Sequence, residues 1–318
     1  MNKTSLETAF NSYFHNKLLF HDFLDIDIQN EYTQIFHSKN TFSPSKKLKQ
    51  FQQFLNLFIF DYININKKVV FSYRKGVSTI DAIKPHKQNK FIYTTDIQSF
   101  FTHIEIKKIK ELILENKSNY IIIEEDIEKY IDNILNLVTF GGILPIGAPT
   151  SPKISNAYLL KLDNSIQKYC QSHEIIFTRY SDDFIFSSSL KEPLINLNEI
   201  IETFFKQLDL NLKINSKKTK LQRQGSNIKL LGLIITPQGH ITVNKKIKND
   251  LEILFYFYLT DKIKFNDFYE NNYSSNIEKV SGIISHINSI DKAYITKLKK
   301  KYGSFIVNSF IHRDISDE

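Results

Sequence analysis

The chain has one cysteine, nine glycines and seven prolines, and no run approaching the roughly 18 apolar residues that a membrane-spanning helix needs. With Cys170 alone, an internal disulfide framework and a multi-cysteine zinc site are both excluded, which fits a reducing interior. The opening MNKTSLETAF carries no apolar export core, so the expectation is a cytoplasmic protein with no membrane partner. Scarce Gly and Pro, with no repeat and no Gly/Ser linker, leave nothing to hold subdomains apart, and they are expected to pack intimately.

What is present is a chain of 318 residues, 42% of them hydrophobic, enough for about two domains or one multi-part enzyme. Its formal charge of +8 and pI near 9.1 favour a polyanionic partner such as nucleic acid or an acidic membrane surface. An AT-rich genome would raise Lys and Ile as well, so charge alone does not decide.

Residues 46–60, KKLKQFQQFLNLFIF, set Leu48, Phe51, Phe54, Leu55, Phe58 and Ile59 on one side of a helix, with a Lys- and Gln-rich polar face. FIYTTDIQSFF (91–101) alternates as a strand up to Asp96 and then gives way to a helical turn. Helical patterns follow around 104–115 and 125–138. GGILPIGAPTSP (141–152) is the densest Gly/Pro segment, a loop leading to a helix capped near Ser151, with Pro152 its first residue, running to about Tyr169. Residues 175–188 read as two strands with Ser181-Asp182-Asp183 between them. NLNEIIETFFKQL (196–208) is amphipathic, KLLGLIIT and HITV flank a Pro237-Gln238-Gly239 turn, and the pattern from Lys245 onward is mainly helical. This order suits an antiparallel α+β core with a helical tail.

Two adjacent aspartates at a turn are common for ordinary reasons, since Asp accepts local backbone hydrogen bonds. Asp96, ending another strand, alters that reading. Carboxylates converging from separate strands offer Mg²⁺ the hard oxygens it takes, and leave room for waters and substrate phosphates. In nucleotidyl transfer such metals acidify a 3′-hydroxyl and neutralise a triphosphate.

Four segments, in this order, resemble the bacterial reverse transcriptases, the group that includes retron, group II intron and abortive-infection or defence-associated enzymes. They are YTTDIQSFF, GGILPIGAPTSPKISNAYLLKLD, RYSDDFIFSS, and LNLKINSKKTKL followed by IKLLGLII. The likeness spans about residues 42–303. It implies an α+β right-hand polymerase: N-terminal helices and fingers over 1–90, an antiparallel palm over 91–240 with inserted fingers helices at about 104–140, and a small helical thumb over 241–318.

By the same resemblance, Asp96 and Asp182 would hold two Mg²⁺ ions (Mn²⁺ being an alternative), with Asp183 beside them and the Ile97 backbone next to metal and triphosphate. Phe101 matches the aromatic gate that excludes a 2′-hydroxyl, although a core aromatic is its plainer reading. Gly147 and Pro149 would bring loop backbone close to base pair and phosphate. Lys218, with Lys217 as rival, matches the general acid that protonates pyrophosphate. Arg74 and Lys75 resemble the basic fingers residues that grip the triphosphate. Seven basic residues between Lys206 and Lys229 face Asp209 alone, either a solvated surface or a duplex contact. His86 and His103 lack metal-ligand spacing and read as surface or packed residues, and Cys170 reads as inert.

The implied activity is RNA-directed DNA synthesis from dNTPs, on an RNA template or companion noncoding RNA, in antiphage defence, with a second protein or further copies of the chain as possible partners. Several departures qualify it. The loop has Ile146 where Gln is commoner, Ser99 replaces a more polar or acidic residue, and YSDD replaces YADD. The retron-associated elements read only as DAIKPH (81–86) and Leu230-Leu231-Gly232. These tilt the expectation towards a non-retron defence enzyme, with a retron enzyme making RNA-linked single-stranded DNA as the alternative. Template-independent or protein-primed synthesis and a non-catalytic RNA-binding scaffold are the others. RNA synthesis on the same palm is disfavoured by Phe101.

Overall fold

The computed structural model describes residues 3–35, 41–268 and 273–313. The chain forms two compact units, one of Met1–Ala82 with Phe91–Leu221 and the other of Ile83–Lys90 with Gln222–Glu318.

In the first unit the expected amphipathic helix runs over Lys46–Phe58, with the Ser45 side chain accepting from the Leu48 amide at 3.1 Å. Its buried stripe is Leu48, Phe51, Phe54 and Leu55. Phe10, from a helix over Leu6–Phe14, meets Phe54 edge-on at 5.4 Å, and Phe23 meets Phe51 at 5.4 Å. Each such ring is worth roughly 1.5–3 kcal/mol on burial. Gln52, read from sequence as surface, is fully buried because its amide donates to Leu137 O and Tyr32 Oη, both at 2.8 Å.

The expected helix over 125–138 is two helices, Glu124–Lys129 and Ile131–Val138. The helix after the Gly/Pro loop is also divided, into Ser151–Tyr158 and Leu160–Ser172. Ser151 is its first residue rather than its cap. Its hydroxyl reaches back to Pro145 O at 2.6 Å and ties the loop to the helix instead.

The strands of this unit are β1 (Tyr32–Gln34), β2 (Phe42–Pro44), β3 (Phe91–Asp96), β4 (Ile176–Tyr180), β5 (Asp183–Ser188) and β6 (Lys220–Arg223), of which Lys220 and Leu221 belong here. β1 pairs with β2, while the larger sheet has the order β4-β5-β3-β6. Phe184 to Ser188 are all buried, so β5 is covered on both faces and reads as a continuous apolar run. Asp183 begins β5 rather than lying in the connection, because it pairs with Tyr180 on one side and Asp96 on the other. The turn is thus Ser181-Asp182.

The second unit contains a three-stranded sheet of β7 (Ile228–Leu230), β8 (Leu233–Ile235) and β9 (Ile241–Val243). KLLGLIIT is therefore a hairpin and not one strand: Leu231 and Gly232 turn it, with φ of 48° and 82°. Helices over Lys245–Thr260, Lys262–Asp267, Tyr273–Ile290, Lys292–Tyr302 and Ser304–His312 complete it. Asp291, 2% exposed, joins sheet and helices by accepting from Thr242 Oγ1 at 2.5 Å, Lys248 Nζ at 2.9 Å and the Tyr294 amide at 3.0 Å. Among the described residues no helix is long and apolar enough to cross a membrane.

Candidate functional site

Antiparallel pairing of β3 with β5 sets Asp96, the last residue of one, opposite Asp183, the first of the other. The turn before β5 brings Asp182 alongside, and the Ile97 amide donates to Asp182 O at 3.3 Å. The segment after residue 212 closes the third side. Gln98 N donates to Lys213 O and Asn215 N to Asp96 O, both at 2.9 Å. Thr219 shares a 2.8 Å hydrogen bond with Thr95, which holds the adjacent Lys218 beside Asp96.

Lys218 Nζ reaches Asp96 Oδ2 at 2.6 Å, so Lys218 rather than Lys217 is the lysine on the carboxylate. That hydrogen bond, with the charges of Asp96, Asp182 and Asp183 behind it, holds the ammonium above its ordinary pKa. Asp96 Oδ1 is buried and has no hydrogen-bond partner. Asp183 keeps an outer face in solvent, yet the protein around it, then Asp182 and Asp96, push its carboxyl up to about 6. Negative charge is therefore concentrated beyond what Lys218 alone balances.

A cavity of about 320 Å³ opens here, lined by Asp96, Ile97, Phe101, Ile146, Asp182 and Lys218 among others. Phe101 is half-buried and Ile146 is 36% exposed. Gly147 and Pro149 follow in the same loop. Phe42 N donates to Ile146 O at 2.8 Å, and a Cβ on Gly147, at φ 108°, would run into the Phe42 carbonyl. Pro149 O accepts from Asn56 Nδ2 at 2.8 Å.

Arg74 and Lys75 line a different cavity, about 660 Å³, with Lys67, Tyr73, Lys153 and Asn156. The Arg74 guanidinium donates to Lys67 O at 2.9 Å and to Val70 O, closing its own loop. His86, in the second unit, is fully buried, and burial pushes its imidazole down to about 3. Cys170 is buried and its thiol is pushed up to about 12 by that burial.

The sequence reading missed the network beneath the turn. Arg179 and Asp163 are wholly buried, with Arg179 Nε on Asp163 Oδ1 at 2.7 Å and Nη2 on Oδ2 at 2.6 Å. Arg179 Nη1 also donates to Ser181 O at 2.7 Å. Asn156, 2% exposed, accepts from Arg179 and donates to Ser72 O at 2.9 Å. The signal was a lone charge in the apolar strand IIFTRY, which needs a buried counter-charge.

A divalent cation fits Asp96 and Asp182. The orphaned Asp96 oxygen lacks a partner, and hard carboxylate oxygens suit such an ion. Among the described residues no three His, Cys, Asp or Glu side chains group as a metal cage. Mg²⁺ commonly takes only one or two carboxylates and completes its shell with waters and phosphates.

The profile of the reverse transcriptase (RNA-dependent DNA polymerase) family matches residues 37–235. Retron Ec86 reverse transcriptase of Escherichia coli is 27% identical over 278 residues, covering 85% of this chain and 79% of that one. Retron Ec73 reverse transcriptase of the same organism is 26% identical over 271 residues, covering 83% of each. Among solved structures, a telomerase from Candida albicans in complex with a fragment of telomeric RNA aligns at a TM-score of 0.43 and 13% identity, over 84% of this chain and 50% of that one. With a family match over residues 37–235, more than half of its length, the chain belongs to the reverse transcriptases, RNA-directed DNA polymerases of right-hand α+β fold.

Proposed function

We propose that this RNA-directed DNA polymerase is a retron-type enzyme, cytoplasmic, copying a companion noncoding RNA into single-stranded DNA that stays linked to RNA. The identities with two retron enzymes favour this over the non-retron defence enzyme expected from the sequence departures. The observation that carries the catalytic assignment is the convergence of Asp96, Asp182 and Lys218 on one cavity, with a buried Asp96 oxygen left unpartnered.

Reverse transcriptases generally use divalent metals, and here Asp96 and Asp182 would hold them, Mg²⁺ first and Mn²⁺ as substitute. Bound metal supplies neutralisation of phosphate charge and an acidified 3′-hydroxyl. The Ile97 backbone sits beside the carboxylates, and Asp183 adds negative charge behind them. Lys218, hydrogen-bonded at the carboxylate, would give its proton to departing pyrophosphate. Phe101 presents a ring to the sugar and leaves no room for a 2′-hydroxyl. Gly147 and Pro149 bring loop backbone to the nascent base pair. Lys75, with Arg74 shaping its loop, is available to the triphosphate.

The double substitution Asp182→Asn with Asp183→Asn is expected to end dNTP incorporation on a primed RNA template while the thermal midpoint holds. Incorporation at the wild-type rate would sink the assignment. A second reading, untemplated or protein-primed synthesis, is favoured by Ile146, which offers the cavity no polar contact. Altering the RNA separates the two, because a templated product changes with it.

A further inference from the structure

The loop that carries Arg74 and Lys75 is bonded to the catalytic turn. Residues 69–71 run beside β4, with Arg179 N donating to Val69 O at 2.7 Å and Phe71 N to Arg179 O at 2.9 Å. Where β4 ends, the next two residues take hold of Ser181. Ser72 Oγ accepts from the Ser181 amide at 2.8 Å and donates to Asn156 Oδ1 at 3.1 Å. Tyr73 Oη donates to Ser181 Oγ at 3.1 Å. Arg179 Nη1 donates to the Ser181 carbonyl.

Every polar group of Ser181 is thereby engaged. That residue has φ 58°, a left-handed conformation that non-glycine residues adopt at a cost, and Tyr73 has φ 55°. Strained backbone of this kind persists only where surroundings over-determine it. Asp182 is the next residue, so what holds Ser181 fixes the backbone from which its carboxylate springs. Tyr73 also lines the cavity that contains Lys67, Arg74, Lys75 and Lys153, the last paired with Asp61 of the same cavity.

We propose that Ser72 and Tyr73 are positioning residues for Asp182, and that through the Tyr73–Ser181 hydroxyl pair the basic loop and the carboxylate turn are held as one hydrogen-bonded unit. The serine of YSDD is then the acceptor that makes the link, since alanine would keep the turn and lose the contact. The inference rests on the reading of Asp182 as a metal-binding carboxylate.

The test uses the full chain with Tyr73→Phe, Ser181→Ala and the double variant. Three quantities are measured: kcat and KM for dNTP on a primed RNA template, Mn²⁺ binding to the nucleotide-free protein by electron paramagnetic resonance, and the metal-free thermal midpoint. Each single change deletes one neutral hydrogen bond, so kcat and Mn²⁺ affinity are each expected to fall roughly three- to tenfold. The thermal midpoint should fall by no more than the few degrees that one such hydrogen bond is worth, and the double variant should be no worse than the worse single one. Wild-type Mn²⁺ affinity in both single variants would overturn the proposal, as would losses that multiply in the double variant or a lowered midpoint with Mn²⁺ binding unchanged. Asp182→Asn is run alongside. If it still incorporates dNTP, the reading of Asp182 fails; if it is dead while Tyr73→Phe behaves as wild type, only the positioning role fails.

Discussion

Asp163 and Asp96 are both buried carboxylates in the same unit, 0% and 3% exposed, and their partners differ. Asp163 has both oxygens taken by one wholly buried arginine. Asp96 has one oxygen on Lys218, whose side chain is 69% exposed, and the other on nothing. A fold that can satisfy one carboxylate completely has left the other incomplete at the mouth of a cavity. Incomplete satisfaction is costly for stability alone, and at a carboxylate facing a cavity it supports the proposal that a cation completes the shell.

The comparison predicts a crossed pair of outcomes. Asp96→Asn should end DNA synthesis with the unfolding free energy held, since the carboxylate it removes has little to lose. Asp163→Asn should leave Arg179 buried without its counter-charge and cost about 3–5 kcal/mol in urea unfolding. Equal stability losses in the two variants would dissolve the distinction. Next in size is Gly147→Ala, which forces a side chain at φ 108° against the Phe42 carbonyl. About 1–3 kcal/mol is expected, read as a lower urea midpoint.

The smallest effect sharpens the comparison from the second unit. Burial pushes Asp291 up, but the hydrogen bonds from Thr242, Lys248 and the Tyr294 amide outweigh it and bring its pKa down to about 2. The value in an unfolded chain is about 3.9. A depressed folded-state pKa contributes stability that is fully present above the unfolded value and is lost as pH falls through about 2. Between about pH 4 and pH 2, the thermal midpoint of the wild type should fall more steeply than that of Asp291→Asn; parallel slopes would contradict the satisfied-carboxylate reading there.

The strands that carry the candidate carboxylates were legible because their apolar pattern is local. Asp96 ends β3, Asp183 begins β5 and Asp182 lies in the turn before it, all within segments whose apolar residues announce the strands, and the helix over Lys46–Phe58 buries most of its expected stripe. Long-range partnerships were not legible. Nothing near Arg179 in sequence names Asp163, 16 residues earlier on a helix, and nothing near Ser181 names Tyr73. The helix breaks at Tyr130 and Leu159 fall at residues without helix-breaking character. The Leu231-Gly232 turn was concealed because leucine rarely takes positive φ, so the segment read as one strand.

Gly147 invites a different use of sequence comparison. Its lack of a side chain is demanded by the Phe42 carbonyl, a neighbour from the scaffold, whatever the cavity beside it binds. A descendant of this chain that had stopped copying nucleic acid would still be obliged to keep it, while its Asp96 would be free to drift. In a set of related chains, glycine at position 147 would testify to ancestry of shape, and aspartate at position 96, on the proposed reading, to continued use.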